Sequence, residues 1–170
     1  EEGFPGHTAH VWSHQWQLSY TGTGCPGAYL TDDNVYVDYY SMEPERFELF
    51  TGRITVGVFA HEFGHILGLP DLYDTDYSTN GIGLFGLMGA GSWGRANEKD
   101  LPGSSPSHMC AWSKYQLGFI TPIVLDRVSI PKLENQSLAC ASANAVAYEL
   151  LEDPGGPDWD FSGRVGEYFM

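Results

Sequence analysis

Positive charge is the first thing this chain lacks. Its 8 basic residues face 22 acidic ones, a formal net charge of −14, and Lys99, Lys114 and Lys132 are its only lysines. Such a balance repels nucleic-acid phosphates and anionic membrane surfaces, so a nucleic-acid partner is not expected. Cysteine is scarce as well. Cys25, Cys110 and Cys140 have neither the density of a disulfide scaffold nor the paired short spacings of a thiolate zinc site, and one bridge between them would leave a thiol over. No apolar run approaches the ~20 residues of a membrane-spanning helix, which argues against stable membrane insertion. Internal repeats and low-complexity stretches are absent, and so is a charged-then-apolar leader. The chain opens on Glu1-Glu2-Gly3 without a methionine and closes on Val165-Gly166-Glu167-Tyr168-Phe169-Met170, which reads as a strand stopped midway. The parent protein is therefore expected to be longer at both ends.

What is present suits a globular domain. With 170 residues, 42% of them hydrophobic and 14% aromatic, the chain can bury a core, and residues 1–170 are expected to form one domain. Strands are predicted over residues 11–20, 35–40, 120–124, 128–130, 146–151 and 165–169, where β-branched and aromatic residues gather between turn residues. Over residues 52–67 the period changes: Val56, Phe59, Phe63 and Ile66 or Leu67 recur every three to four residues, which predicts a helix with one apolar stripe. Gly68 suits the left-handed turn that ends it, and Pro70 forbids continuation. Residues 71–106 read as loops around a short apolar piece at 82–88, and a second helix is predicted over 107–117. The expected fold is α+β, a twisted sheet packed on these two helices.

The first helix carries the chemistry. His61-Glu62-Phe63-Gly64-His65 puts two imidazoles four residues apart on one helical face, where they can hold one metal ion, with Glu62 beside it. A catalytic zinc takes three protein ligands and keeps a fourth position for water, whose proton a carboxylate such as Glu62 can accept. In the extended metzincin pattern a glycine three residues beyond the second histidine turns the chain back, and the residue three further on reaches the ion. Gly68 holds the first of these places and Asp71 the second, which makes Asp71 the expected third ligand, with Glu98 and Asp74 as alternatives. Downstream, Leu84-Phe85-Gly86-Leu87-Met88-Gly89 offers Met88 in a glycine-bounded turn, the place of a hydrophobic floor beneath the metal.

Other polar groups read more blandly. Asp71, Asp74, Asp76 and Asn80 are hard oxygen ligands of the kind calcium uses, without the loop pattern of an EF-hand, and a solvated loop is the simpler reading. His108 either faces the cleft or packs beneath the second helix. His7, His10 and His14 are read as structural or surface groups.

The chain resembles the secreted bacterial metallopeptidases typified by immune inhibitor A. The likeness rests on residues 57–74, Gly57-Val58-Phe59-Ala60-His61-Glu62-Phe63-Gly64-His65-Ile66-Leu67-Gly68-Leu69-Pro70-Asp71-Leu72-Tyr73-Asp74. Val11-Trp12-Ser13-His14-Gln15-Trp16, Tyr40-Ser41-Met42-Glu43-Pro44-Glu45, Gly91-Ser92-Trp93-Gly94 and Ala111-Trp112-Ser113-Lys114-Tyr115-Gln116-Leu117-Gly118 are similar in the same way. It implies an exported zinc endopeptidase acting on peptide bonds of extracellular proteins, made with a pro-segment and further domains, with calcium common among such enzymes. His61 and His65 would be zinc ligands and Glu62 the general base. The rival expectation is a non-catalytic adhesion or binding module that keeps the metal, and the intact Glu62 speaks against it.

Overall fold

Short strands and tight turns dominate the described residues ahead of the first helix. The computed structural model describes residues 11–20, 27–47, 52–76, 78–126, 137, 139–140, 142–151 and 168–169. Two compact units, Glu1–His108 and Met109–Met170, divide the chain.

In the first unit β1 (His14–Gln17) pairs antiparallel with β4 (Tyr39–Met42), His14 opposite Met42 and Gln17 opposite Tyr39. A second antiparallel pair joins β2 (Tyr29–Leu30) to β3 (Tyr36–Val37). Between them Asn34 takes a positive φ of 62°, which asparagine tolerates better than most residues. The single strand predicted over 35–40 breaks at Asp38. Its carboxylate accepts the Ser19 N–H and hydroxyl, at 2.7 Å each, and such side-chain bonds compete with a regular ladder.

The helix α1 spans Val56–Ile66, with Thr55 in the extended capping position. It starts later than predicted because Arg46 and Arg53 form a β-bridge and the Ile54 N–H donates to the Glu45 carbonyl at 3.0 Å, which holds residues 53–54 extended. Its end follows the sequence reading. Gly68 has φ +97°, its N–H donates to His65 O at 2.9 Å, and the Leu69 N–H donates to Gly64 O at 3.1 Å, together the Schellman pattern. The tail of this turn is anchored by Leu69, which is buried.

The predicted stripe of Val56, Phe59, Phe63 and Ile66 or Leu67 lies mostly at the surface: Val56, Phe59, Phe63 and Leu67 are 59%, 45%, 55% and 41% exposed, and Ile66 is half-buried. The buried residues of α1 are Gly57, Val58, His61, Glu62 and Gly64. Helix period alone reveals that apolar residues share a face, but which face meets the chain depends on close approach. Here the glycines decide it. A Cβ at Gly57 would lie 1.9 Å from the Ser92 carbonyl oxygen, and one at Gly64 would lie 2.5 Å from the Met88 sulfur. The side of α1 without bulk is the side on which the segment 86–94 packs.

Two 3₁₀ turns, Gly83–Phe85 just before that segment and Ala90–Trp93 within it, stand on either side of Leu87 and Met88. Residues 107–108 run alongside it: the Ser107 N–H donates to Gly91 O at 2.8 Å and the Leu87 N–H to His108 O at 3.2 Å. This use of the backbone explains why the second helix, α2, spans Ala111–Gln116 and not the predicted 107–117, with Cys110 at its cap.

In the second unit α2 ends at Gln116 with Leu117 as its cap, and Gly118 follows with φ +70°. Strand β5 (Ile123–Asp126) runs parallel to β6 (Tyr148–Leu151), and β6 pairs antiparallel with β7 (Tyr168–Phe169). The fold is α+β, but the described strands form three small sheets in place of the one twisted sheet expected. Strands of two to four residues, ended by side-chain bonds such as those of Asp38, do not extend into a common ladder. The strand predicted at 128–130, the start of the one at 165–169, His7, His10 and Cys25 lie outside the described residues. Cys110 and Cys140 carry free thiols. Among the described residues no helix is long and apolar enough to cross a membrane.

Candidate metal centre

Three side chains converge at the end of α1. The Nε2 atoms of His61 and His65 are 3.1 Å apart, and Asp71 Oδ1 lies 3.1 Å from the first and 3.2 Å from the second. Helix geometry supplies the first pair, since residues four apart share a face. Asp71 arrives through the Gly68 turn and is held there by the next residue, whose N–H donates to Met88 O at 2.7 Å.

The outer nitrogens of both rings are committed. His61 Nδ1 donates to Leu87 O at 2.9 Å and His65 Nδ1 to Leu69 O at 2.8 Å. A carbonyl oxygen only accepts, so each Nδ1 carries a proton; in the neutral ring Nε2 then presents a lone pair inward, and in the protonated ring it donates to Asp71. Two lone pairs and a carboxylate oxygen within 3.2 Å of one another repel unless a cation or a proton lies between them. Zinc bonds of ~2.0–2.1 Å in a tetrahedron place ligand atoms about 3.3 Å apart, so this donor set fits such an ion. Among the described residues it is the one group of three or more histidine, cysteine or acidic side chains that converge in this way.

The electrostatics carry the same signature. The hydrogen bond to Asp71 raises the His65 pKa above its ordinary value, against the opposing effect of burial. Burial on its own pushes the Asp71 pKa up, but hydrogen bonds from His61, His65 and Tyr73 outweigh it and hold the carboxyl well below the usual range. Glu62 behaves oppositely. It is 7% exposed, and burial raises its pKa; the His61 and His65 rings pull it down, and Glu43 and Asp71 add to the rise. Beside His61 and Glu62 opens a cavity of about 340 Å³, with Val58, Trp12 and Trp93 among its walls.

Met88 is fully buried and rests on α1 at Gly64, between the turns of the helix that carry the two histidines. Met88→Leu conserves volume and should cost under ~1.5 kcal/mol of stability, whereas Met88→Asp buries an unpaired charge. The aspartate variant should lose both thermal stability and metal content. Unchanged values for both would remove Met88 from any role under the site.

The other sequence candidates lie apart from this cluster. Asp74 accepts bonds from Ser78 and Thr79, and Glu98 is exposed. These local bonds in the loop lend no support to a calcium site. His108 is exposed, does not line the cavity, and offers its carbonyl to Leu87. His14 is half-buried, donates to Trp12 O at 2.7 Å and meets Tyr40 edge-on, a structural role. Sequence reasoning missed Glu43, one of whose oxygens is buried without a hydrogen-bond partner. It also missed Tyr73, which stacks on His61 at 6.3 Å. Both lie in segments that carry the family resemblance, but nothing in the sequence alone gives either a place at the site.

Residues 2–120, which include every group named at this centre, match the family described as immune inhibitor A peptidase M6, catalytic domain. Immune inhibitor A of Bacillus thuringiensis subsp. alesti is 39% identical over 90 residues, covering 49% of this chain and 12% of that protein. The pre-pro-metalloprotease PrtV of Vibrio cholerae serotype O1 is 30% identical over 112 residues, 61% of this chain and 11% of its own length. The chain thus spans roughly a tenth of the curated relatives it matches. No solved structure matches it. With the family match running through the converged histidines and their carboxylate, the chain belongs to the immune inhibitor A family of metallopeptidases, peptidase M6.

Proposed function

We propose that the chain is the catalytic domain, over residues 1–170, of an exported zinc endopeptidase that hydrolyses internal peptide bonds of extracellular proteins. The convergence of His61 Nε2, His65 Nε2 and Asp71 Oδ1, with both Nδ1 protons tied to carbonyls, is the observation that supports it most. His61, His65 and Asp71 hold the ion, in the metzincin-like manner in which the glycine turn returns the third ligand, and Met88 is the apolar floor. When bound, the zinc supplies Lewis acidity, polarising the scissile carbonyl and acidifying a water.

The rest is done by this chain's own groups. The Leu87 and Leu69 carbonyls fix the tautomer and the tilt of the two imidazoles, as outer partners of ligating histidines do. Burial keeps Glu62 more basic than an ordinary glutamate, nearer the neutral pH at which a general base works best. It takes the proton of the attacking water and returns it to the departing amine. The length of the relatives supports a larger protein around this domain, with a pro-segment and further domains. The direct test is metal analysis with casein hydrolysis, before and after a chelator. Hydrolysis that survives complete metal removal would sink the proposal, and bound zinc without any hydrolysis would favour the binding module.

The raised His65 and lowered Asp71 pKa values also set a pH dependence. In the metal-free protein His65 contributes stability that is full below its ordinary value of 6.5 and is lost as pH rises through its higher folded value. Asp71 contributes stability present above 3.8 and lost as pH falls through its lower folded value. The pair therefore favours the metal-free fold most between these limits. Zinc needs His65 unprotonated, so the gap in thermal midpoint between zinc-loaded and metal-free protein should widen as pH rises through and above 6.5. A gap that is flat from pH 5 to 8 would remove His65 from the metal site.

A further inference from the structure

The cavity beside Glu62 combines aromatic walls with an uncompensated negative charge. Trp12 and Trp93 line it, exposed by 50% and 38%, together with Val58, and Asp74 lies in the same lining. Among the described residues no lysine or arginine does. Asp74 therefore places a unit of negative charge on a lining in which no described lysine or arginine offsets it.

Asp74 is also fixed in place. Its Oδ2 accepts from the Ser78 hydroxyl at 2.9 Å, the Thr79 hydroxyl at 2.9 Å and the Thr79 N–H at 2.6 Å, and its Oδ1 from the Asp76 N–H at 3.2 Å. The Thr79 hydroxyl, first among these bonds, holds its pKa well below the usual carboxylate range, so the group stays ionised wherever a peptidase works. A carboxylate held in advance costs little reordering when a ligand arrives. The volume of about 340 Å³ suits one long side chain, at the lower end of the ~300–1,000 Å³ of small-ligand pockets.

We propose that this cavity takes a lysine or arginine side chain of the substrate polypeptide, its aliphatic stem against Trp12 and Trp93 and its charge offset by Asp74. Aromatic faces attract cations as well as alkyl stems, and a purely apolar side chain would desolvate Asp74 without recompense. The proposal rests on the peptidase reading for the word substrate, but the binding it describes does not need turnover.

Two measurements on the zinc-loaded protein test it. The first compares cleavage of internally quenched peptides that differ at one position on either side of the scissile bond, holding arginine, lysine, norleucine or glutamate. At one such position arginine and lysine should exceed norleucine at least tenfold in kcat/KM, and glutamate should be poorest. In Asp74→Asn the ratio of arginine to norleucine should collapse towards one; an equal loss for both peptides would mean a structural role and overturn the assignment. The second follows the indole N–H resonances during titration with Nα-acetyl-arginine amide or Nα-acetyl-norleucine amide. Trp12 and Trp93 should shift with the arginine compound at concentrations at least tenfold lower. Preferred binding without any cleavage would remove the peptidase reading and leave the cavity assignment standing. Cleavage with no preference for a basic residue, or equal binding of the two amides, would overturn the cavity assignment and leave the peptidase reading intact.

Discussion

Glu62→Gln should retain its zinc and lose at least ~100-fold in peptide hydrolysis, the scale on which a positioned acid–base group acts. Glutamine keeps the shape and the buried volume of the side chain but has no basicity, so the change isolates proton transfer from folding. The environment makes the comparison sharp. Glu62 is buried on the inward side of α1, on the wall shared by His61 and the cavity, and burial is the largest cause of its raised pKa. An amide there does not carry the cost of a buried charge, so the variant should be at least as stable as the parent when free of metal. Three readings are needed together: zinc stoichiometry after dialysis, thermal midpoint, and kcat on a peptide substrate. Wild-type turnover in a variant with full zinc content would falsify the role given to Glu62.

Asp71→Ala should have the larger effect on the metal. Loss of an outer partner of a metal ligand costs ~10–100-fold in affinity, and loss of a ligand itself should exceed that. The two histidines would supply only two of the three protein ligands a catalytic zinc takes, and Asp71 Oδ1, within 3.2 Å of both Nε2 atoms, would be the third. Removing the carboxylate also takes away the hydrogen bond that chiefly raises the His65 pKa, so that value should drop towards 6.5 in the metal-free variant. Zinc should dialyse away and proteolysis should stop, while Asp71→His should recover part of both because imidazole is an equally competent ligand. Full zinc retention by Asp71→Ala would pass the third position to another group. Ring-proton titration of His65 by NMR checks the electrostatic half of the argument independently of activity.

The reach of the sequence differs from element to element. The stop of α1 was legible because its signals are local: Gly68 takes the positive φ, and Pro70 cannot continue a helix. The pairing of His61 with His65 was legible for the same reason, since helix period is a property of the backbone. The strands were legible as apolar and aromatic stretches but not in their lengths. Residues 35–40 divide at Asp38, whose partner Ser19 is nineteen residues away in the chain. The start of α2 moved to Ala111 because Ser107 and His108 bond to the segment around Leu87, a contact that no short-range pattern encodes.

By itself, then, the amino-acid order determined the local geometry of this protein: a helix with two imidazoles on one side, a glycine turn after it, and a carboxylate at the distance from which the chain can return. Those follow from backbone dihedrals and period, which a window of about ten residues contains. Tertiary structure alone decided which side of α1 faces inward, because that depended on how closely Ser92 and Met88 approach Gly57 and Gly64. It also decided that the carbonyls of Leu87 and Leu69 orient the two rings, that Tyr73 stacks on His61, and that Trp12 and Trp93 share a cavity with Asp74. Apart from Leu69, each of these joins groups ten or more residues apart in the chain. Their energy is set by packing and desolvation at close approach, and neither quantity exists until the chain has folded.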